Sequence, residues 1–408
     1  MRRQGTHIVI SLAAIVAVSL AAVASAAGRN PKPQAQAAAG CAYPDRFPAT
    51  RDPSNPLDLP TPPGANPLTG ANFFVDGPAH GAAAGAIASA IGIDPKSLPD
   101  DLSWAQFQQE HADAIAANPQ ARLLVKIADQ PDANRFSLYS MGGGPGAIYG
   151  QVHKIVCDNM AADPGSIPIF TTYFLYQAGY CETRSEILAH RPTFERQINE
   201  MARAIDRRPA VMLLELDAVG ASRCMQQNGA LPDWEADMRY EIDRLAALPH
   251  TVIYMEAGYA DANDPRYTAR VLNATGIGRI RGFWTNDTHE DWTITEVRWG
   301  ERVSRLTHGA HFIVNTATNG QGPLIPADRV RSGNEVLCNP PGRGIGPLPQ
   351  VNPGYAGVDA FLWTAPPGNS SGNCNGGPPA GTFWPAKAIA MSSLANGRLG
   401  PAFPSQPY

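Results

Sequence analysis

The residues best suited to chemistry in this sequence are two acids, Glu215 and Asp217, which end the segment Ala210–Asp217 (AVMLLELD). The apolar part of this segment has no polar alternation, as expected for a strand covered on both faces in a parallel sheet. Parallel α/β folds bind their ligands at the carboxyl ends of the strands, so Asp217 stands where such folds keep their chemistry. The alternative is that both acids only terminate the strand and cap the next segment.

The same arrangement recurs along the chain, because apolar runs of strand length alternate with amphipathic segments. Seven runs are candidate strands: Leu123–Ala128, Ile167–Phe174, Ala210–Leu216, Thr251–Ala257, Ile280–Trp284, His311–Asn315 and Val358–Trp363. The clearest candidate helices are Arg184–Asp206, Trp234–Leu248 and Trp292–Thr307. Alternation of this kind over about 300 residues predicts an α/β fold with a parallel sheet, closed or nearly closed into a barrel.

Polar residues follow the predicted strands and form a ring of candidate site residues. The ring consists of amides, tyrosines and acids: Asp129, Gln130, Tyr173, Tyr176, Glu215, Asp217, Glu256, Tyr259, Asn286, Asp287, Asn315, Asn319 and Asn369. Such a ring suits a neutral, hydroxyl-rich ligand such as a sugar, which needs amide and carboxylate contacts beside aromatic platforms. Trp284 has polar neighbours and is expected in the cleft, whereas Trp363 fits the cleft and the barrel core equally well.

Composition and motifs exclude several other classes of protein. The 408-residue chain is 44% hydrophobic with a net charge of −4, so it lacks the basic field of a nucleic-acid-binding protein. The glycine run at 142–146 lacks the Lys-Ser/Thr of a phosphate loop, and the nine histidines show no metal-binding spacing. No G-x-S-x-G motif of a serine hydrolase occurs. No metal or other cofactor is implied.

The amino terminus resembles a secretory signal peptide, because residues 1–26 combine a basic start, a long apolar stretch and an Ala-Ser-Ala cleavage site. We therefore expect cleavage near Ala26 and a secreted, extracellular protein whose six cysteines are disulfide candidates. Residues 27–64 are rich in Pro and Ala and predict a leader or linker. Residues 65–400 form one predicted domain, and 401–408 a tail. No other segment approaches the length of a membrane span.

Several segments, taken in order, resemble motifs of the family 6 glycoside hydrolases, the inverting β-1,4-glucanases and cellobiohydrolases. The resemblance covers about residues 66 to 396. The segments that carry it are NPL at 66–68 with FFVD at 73–76, LELD at 214–217, CMQ at 224–226, FIVNTATNGQGP at 312–323, LCNPPGRGIG at 337–346 and VDAFLWTAPPGNSSG at 358–372.

The resemblance implies a fold and an activity. The fold is a distorted, seven-stranded parallel β/α barrel with disulfide-tied loops over the carboxyl ends of the strands. The activity is that of an inverting endo-β-1,4-glucanase with Asp217 as general acid, acting on a polysaccharide or oligosaccharide with β-1,4 links. The short segment between Cys338 and Cys374 is similar to that of the endoglucanases, which implies an open cleft and internal cleavage. We expect a monomer with no nucleic-acid or membrane partner.

The cysteines fit the same family. By resemblance, Cys181 pairs with Cys224, and Cys338 pairs with Cys374. Cys41 and Cys157 are left over and would form a third bridge that anchors the leader. The alternative for Cys157, which lies on a predicted helix, is a buried free thiol.

The resemblance fails at the partners of the acid. Tyr180 stands where the family has the aspartate that tunes the acid, and Ser371 stands at the position of the proposed base. A serine cannot act as a general base at pH 7 without a partner, and loss of a base costs about 10²–10⁴-fold in rate. Either the base has moved, or the protein has become a carbohydrate-binding protein with little turnover. A third possibility is a hydrolase of a different β-glycan.

For a relocated base, Glu256 is the first choice and Asp287 the second, with a water chain through Tyr180 connecting them. Glu215 would lie on the same strand face as Asp217, because the two are two residues apart. It could therefore raise the pKa of Asp217, or else serve as a structural acceptor. The expected substrate contacts are Phe136, Tyr173, Trp284, Asn286, Asn319, Trp363 and Asn369.

Overall fold

A computed structural model describes residues 64–137, 144–175, 181–323, 338–405 and 408. At its centre is an eight-stranded sheet in the order β1-β2-β3-β4-β5-β6-β8-β7. The strands are β1 Asn134–Ser137, β2 Ile169–Tyr173, β3 Ala210–Leu214, β4 Thr251–Glu256, β5 Gly282–Thr285, β6 His311–Asn315, β7 Gln350–Val351 and β8 Val358–Leu362.

Seven of these strands are parallel, and the two-residue β7 pairs antiparallel with β8. The N–H of Ala133, just before β1, donates to the carbonyl of Trp363, just after β8, at 3.0 Å. This contact joins the two edges of the parallel sheet at one point. The seven-stranded parallel barrel is therefore confirmed, and the short β7 is an addition to it.

Strand β3 shows why its sequence is continuously apolar. Val211 and Leu213 face inward and pack with Tyr254 and Trp284 inside the barrel. Met212 and Leu214 face outward and pack against the surrounding helices. All five residues of the strand are fully buried, as a parallel strand covered on both faces requires.

Helices surround the sheet in the described ranges. They are α1 Ala82–Ala90, α2 Trp104–Glu110, α3 Ala112–Ala117, α4 Pro119–Ala128, α5 Ala147–Ala162, α6 Arg184–Ile205, α7 Ala218–Gln227, α8 Leu231–Ala246, α9 Pro265–Thr275, α10 Thr293–Leu306 and α11 Pro385–Ser393. The three helices expected from the sequence are α6, α8 and α10, with ends within three residues of the predicted bounds. None of the described helices is both long and apolar enough to cross a membrane.

One predicted strand, Leu123–Ala128, is wrong, because these residues form the second half of helix α4. The helix begins where the Asn118 side chain accepts the N–H groups of Gln120 and Ala121, with Pro119 in the first turn. The first strand comes later, at Asn134–Ser137. A short apolar run does not distinguish a buried strand from a buried helix, and here the start signals at 118–119 decide for the helix.

The predicted disulfides Cys181–Cys224 and Cys338–Cys374 are confirmed, with Cα–Cα distances of 5.4 and 5.9 Å. The first ties the segment that follows β2 to helix α7. Cys157 on α5 is disulfide-bonded, which excludes the free-thiol alternative. Its predicted partner Cys41 lies outside the described residues, as do the predicted signal peptide and residues 27–63.

Candidate active site

A cavity of about 1210 Å³ opens at the carboxyl ends of the parallel strands. The turns that follow β3, β4, β5, β6 and β8 contribute to its wall. Strand β1 contributes three of its own residues, and β2 contributes its last residue. The lining residues that matter below are Arg135, Tyr173, Asp217, Tyr259, Asp287, His289, Asn369 and Ser371. Polar groups with different charges therefore meet in one space at this edge of the sheet.

Asp217 lines this cavity at the turn between β3 and α7. The strand ends at Leu214, and both Glu215 and Asp217 have positive φ, of 47° and 61°. Left-handed backbone is uncommon for residues other than glycine and reorients the side chains. The strand rule that placed Glu215 and Asp217 on one face therefore does not apply.

The carboxyl of Asp217 has one strong hydrogen-bond donor, the hydroxyl of Tyr259 at 2.5 Å. The hydroxyl of Thr288 lies 3.4 Å from the same oxygen and donates to Tyr259 at 2.7 Å. Tyr259 follows Gly258, whose φ of 93° suits glycine. A tight turn after β4 thus brings a phenol onto the acid.

Burial raises the pKa of Asp217, and the negative charge of Asp287 raises it further. The hydrogen bond from Tyr259 and the charges of His289 and Arg135 act in the opposite direction but do not outweigh these effects. Asp217 therefore keeps its proton to a higher pH than an ordinary aspartic acid. A general acid needs this property.

Asp287, which follows β5, is held as an ion pair. Arg135 Nη2 lies 2.7 and 2.8 Å from its two carboxylate oxygens, and the Thr364 hydroxyl donates to one of them. The Asp287 side chain is 1% exposed. Its oxygens are occupied, and its fixed negative charge acts on Asp217.

Glu256, the first choice for a base, is fully buried and does not line the cavity. It accepts the N–H of Gly258 at 2.5 Å and that of Val219 at 3.2 Å. Burial and the nearby charge of Asp217 raise its pKa well above the ordinary value. The choice is therefore wrong on geometry, because a carboxyl that ties the β3 and β4 turns together cannot meet a water in the cleft.

Glu215 is also fully buried and does not line the cavity. Its carboxyl accepts the backbone N–H groups of Phe174 and Leu175 at 3.0 Å. Burial raises its pKa to about 7. These contacts match the structural-acceptor alternative, and the charge that raises the pKa of Asp217 comes from Asp287 instead.

The expected aromatic platforms Phe136, Trp284 and Trp363 are in the core, with at most 2% exposure, and do not line the cavity. Trp284 Nε1 donates to the carbonyl of Leu214, and Trp363 Nε1 to that of Pro347, both at 3.1 Å. Each indole finds its acceptor inside the fold, so a position near polar sequence neighbours did not imply a position in the cleft. The expectation that Trp284 and Phe136 lie in the cleft is wrong. For Trp363, the structure shows the second of the two predicted positions, the barrel core.

Of the predicted amide contacts, two are buried inside the fold and one lines the cavity. Asn286 and Asn319 are buried, and their Nδ2 atoms donate to the carbonyl of Asp291 at 3.2 and 2.8 Å. They hold the loop after β5 and do not line the cavity. Tyr173 and Asn369 do line it, and their contact with a substrate stays a prediction. Tyr176 and Tyr180 lie outside the described residues.

Sequence reasoning missed Arg135 and His289. Arg135 neighbours the nominated Phe136, and the twofold period of β1 could have shown that only one of the two faces the cleft. His289 Nδ1 lies 2.7 Å from Asp261 Oδ1, and its ring stacks on that of Tyr259 at 3.7 Å. No spacing motif marks this pair, because the turns after β4 and β5 bring it together.

The sequence from residue 177 to 395 matches the family model described as glycosyl hydrolases family 6. This chain belongs to glycosyl hydrolases family 6. The family 6 match spans α6 to α11 and includes Asp217, the disulfide-tied segments and Ser371.

Known members of family 6 are similar over most of the described chain. Endoglucanase 1 of Streptomyces halstedii is 30% identical over 331 residues, which are 78% of this chain and 93% of that protein. Endoglucanase A of Cellulomonas fimi is 29% identical over 69% of this chain, which spans 58% of that longer relative.

A solved family 6 structure supports the same assignment. It is the endoglucanase Cel6 from Mycobacterium tuberculosis in complex with methyl-cellobiosyl-4-deoxy-4-thio-β-D-cellobioside. It is 27% identical to this chain with a TM-score of 0.65, and the match covers 81% of this chain and 99% of that one.

Proposed function

We propose that this protein is a secreted, inverting endo-β-1,4-glucanase with Asp217 as its general acid. The observation that carries the proposal is the carboxyl of Asp217, which lines the cavity of a family 6 barrel and has a raised pKa. The signal-peptide pattern at residues 1–26 supports export. The short span between Cys338 and Cys374 supports internal cleavage.

In this mechanism the Asp217 proton passes to the glycosidic oxygen as the bond from that oxygen to the anomeric carbon breaks. A water attacks the anomeric carbon from the opposite face, and a base takes its proton. Tyr259 and Thr288 orient the acid, and Asp287 holds its proton in place by charge repulsion. Asp287 takes the tuning role in this proposal, because both of its oxygens are already bonded.

The substrate class follows from the cleft and the relatives. Similar proteins are named endoglucanases, and the Mycobacterium structure contains a cello-oligosaccharide analogue. Tyr173 and Asn369 line this cavity and supply the phenol and amide contacts that a β-1,4-glucan uses. We expect the protein to act as a monomer on a soluble or accessible glucan chain.

One observation favours a second function, a carbohydrate-binding protein derived from a hydrolase. Ser371 lines the cavity at the position of the family's proposed base, and its backbone N–H donates to Asn339 at 2.8 Å. No carboxylate replaces it at that position. A cleft that keeps its polar lining and lacks a base would bind glycans without turnover.

Both functions can be tested on one panel of β-glucans, xylans and mannans. New reducing ends are measured for the wild type, for Asp217→Asn and for Asp243→Asn, in which the same change is made at the exposed ion pair with Arg279. We expect a β-1,4-glucan to be cleaved by the wild type and Asp243→Asn alone. If Asp217→Asn is as active as the wild type, or no glycan is cleaved, the hydrolase proposal fails. Binding isotherms on the same panel then decide the second function, which fails without saturable binding.

A further inference from the structure

A lysine ammonium lies in the wall of the cavity where the loop after β8 meets helix α11. Lys387, in the first turn of α11, lines the cavity together with Asn369 and Ser371. Its Nζ donates to the carbonyl of Asn369 at 2.7 Å and to Oδ1 of Asn339 at 3.1 Å. Both acceptors are neutral, and no described residue accepts the third N–H of the ammonium. Its charge is therefore not neutralised by a direct partner within the described residues.

The position of the ammonium is fixed by a disulfide-tied loop. Asn339 follows the first cysteine of the Cys338–Cys374 disulfide, and its Nδ2 donates to the carbonyl of Cys374 at 3.1 Å. Its Oδ1 accepts both Nζ of Lys387 and the backbone N–H of Ser371, the second at 2.8 Å. The ammonium and Ser371 are thus neighbours around one buried amide oxygen, and Ser371 is exposed in the cavity wall.

The carboxyl group whose charge acts on Lys387 is that of Glu290, and it has another partner. Glu290 Oε2 lies 3.2 Å from Arg343 Nη1, and burial raises the pKa of Glu290 to about 7. Burial also lowers the pKa of Lys387, and the charge of Glu290 opposes this by less. A half-buried ammonium in these surroundings is stabilised more by an anion than by another neutral oxygen.

The five carboxyl groups that line the cavity carry less charge than their number suggests. That of Asp287 is paired with Arg135. Burial raises the pKa of Asp76 to about 6 and raises those of Asp132 and Asp217 as well, as it does for Glu290. In weakly acidic solution these groups therefore repel a second anion less than ordinary carboxylates would. The five are Asp76, Asp132, Asp217, Asp287 and Glu290.

We propose that Lys387 binds a carboxylate of the glycan, so that the substrate is a β-1,4-glucan that carries glucuronic acid units. The proposal rests on the glucanase function proposed above and narrows its substrate. A glucuronic acid unit keeps the ring and the equatorial links of a glucose unit and has a carboxylate at C6. That carboxylate accepts the third N–H of Lys387, and the hydroxyl of Ser371 is a second donor beside it.

A matched pair of oligosaccharides tests the preference of the wild type. The pair is cellohexaose and a cellohexaose in which every second glucose is oxidised at C6 to glucuronic acid. We expect kcat/KM to be about 10–100-fold higher for the oxidised hexamer, as a charge-assisted hydrogen bond provides. The difference should lie in KM, because the contact is the same in the bound substrate and in the transition state. A preference below twofold overturns the proposal.

Lys387→Gln assigns the preference to the ammonium. The amide has no charge but keeps an N–H that can donate to the carbonyl of Asn369, and we expect the ratio of the two kcat/KM values to fall to within about threefold of one. Lys126→Gln on α4 is the matched control, because Lys126 Nζ also donates to a backbone carbonyl, at 3.1 Å, and does not line the cavity. It should keep the wild-type ratio. If Lys387→Gln slows both hexamers equally, the role of Lys387 is structural and the proposal is wrong.

Binding without turnover separates this proposal from the hydrolase function and needs no change at Lys387. Titration calorimetry with Asp217→Asn should show that the oxidised hexamer binds about 10–100-fold more tightly than cellohexaose, with a smaller difference at high salt. Equal affinities overturn the carboxylate site and, with an active wild type, leave the glucanase function in place. If the wild type cleaves neither hexamer, the hydrolase function fails, whereas tighter binding of the oxidised hexamer still supports the site at Lys387.

Discussion

At the amino-terminal end of the barrel, Asp359 on β8 is surrounded by donors, whereas Asp217 at the carboxyl-terminal end has one strong donor and a second carboxylate nearby. Asp359 accepts from Arg281 at 2.7 and 2.9 Å, from Tyr254 at 2.8 Å and from His311 at 2.9 Å. Burial alone would raise the pKa of Asp359, but the bonds and charges of Arg281 and His311 outweigh it and lower the pKa. Asp359 is therefore a fixed anion.

The two ends use the same residue types, since Asp, Arg, His and Tyr occur at both. At the carboxyl end the arginine, Arg135, is paired with Asp287 and not with Asp217. Burial and repulsion then keep the Asp217 proton in place. The comparison shows that the choice of partner, rather than residue type or burial, separates a structural aspartate from one that can exchange a proton.

The largest expected effect is the loss of activity in Asp217→Asn. We expect kcat on β-glucan to fall by about 10²–10⁴-fold, because the amide has no proton to give to the leaving oxygen. The free energy of unfolding should change little or rise, since a buried acid is replaced by a neutral group. Steady-state kinetics and urea unfolding of the same sample measure both. If Asp217→Asn is active, or if its free energy of unfolding falls by several kcal/mol, the proposed difference between Asp217 and Asp359 is wrong.

For Asp359→Asn we expect the reverse: lower stability with nearly unchanged activity. Loss of the carboxylate leaves the largely buried charge of Arg281 without its partner, which should lower the free energy of unfolding by about 3–5 kcal/mol. Activity per folded molecule should stay within about twofold. Urea unfolding and an active-site-normalised assay check this. A selective loss of kcat with unchanged stability would place Asp359 in the catalytic machinery.

A third prediction concerns the pH dependence of stability. The pKa of Glu296 is raised to about 8 and that of Glu215 to about 7, chiefly by burial, from ordinary values near 4.5. The folded state then binds more protons than the unfolded state between pH 4.5 and 8, so stability is present below this window and lost as pH rises through it. We expect the free energy of unfolding to fall by at least about 2 kcal/mol from pH 5 to pH 8.

Urea unfolding at several pH values measures this decline. Glu296→Gln should flatten the curve, because its amide cannot ionise, whereas Glu110→Gln on the exposed surface should leave the slope unchanged. Stability that rises from pH 5 to pH 8 would contradict the pKa directions assigned to these buried acids.

The smallest effect is expected for Tyr259→Phe. The phenol lowers the pKa of Asp217, so its removal should raise that pKa and move the alkaline limb of the kcat/KM profile to higher pH. The maximum should fall by less than about tenfold, because the ring that stacks on His289 remains. A limb that moves to lower pH, or does not move, would show that the Tyr259 hydroxyl does not control the acid.

The fold was predictable from the sequence where one physical requirement dominates. A strand covered on both faces must be apolar throughout, so β3 was predicted correctly, and Asp217 follows it at the carboxyl edge of the sheet. The disulfides followed from family resemblance. Leu123–Ala128 was misassigned because a buried strand and a buried helix share an apolar run, and only the cap at Asn118 separates them.

The site was less predictable because its partners come from distant segments. Arg135 and Asp287 are 152 residues apart, and His289 and Asp261 are 28 apart on different turns. No local pattern shows which carboxylate an arginine will choose. Trp284 and Trp363 were candidates for the cleft but lie in the core, where their indole N–H groups donate to the carbonyls of Leu214 and Pro347.

The anomeric configuration of the first product tests the central claim most directly. Proton NMR can follow cellohexaose hydrolysis before the released sugar mutarotates. We predict that the α-anomer appears first with the wild type and that Asp217→Asn yields none in the same time. Release of the β-anomer first, or of α-anomer by Asp217→Asn at the wild-type rate, would contradict an inverting hydrolase with Asp217 as its acid.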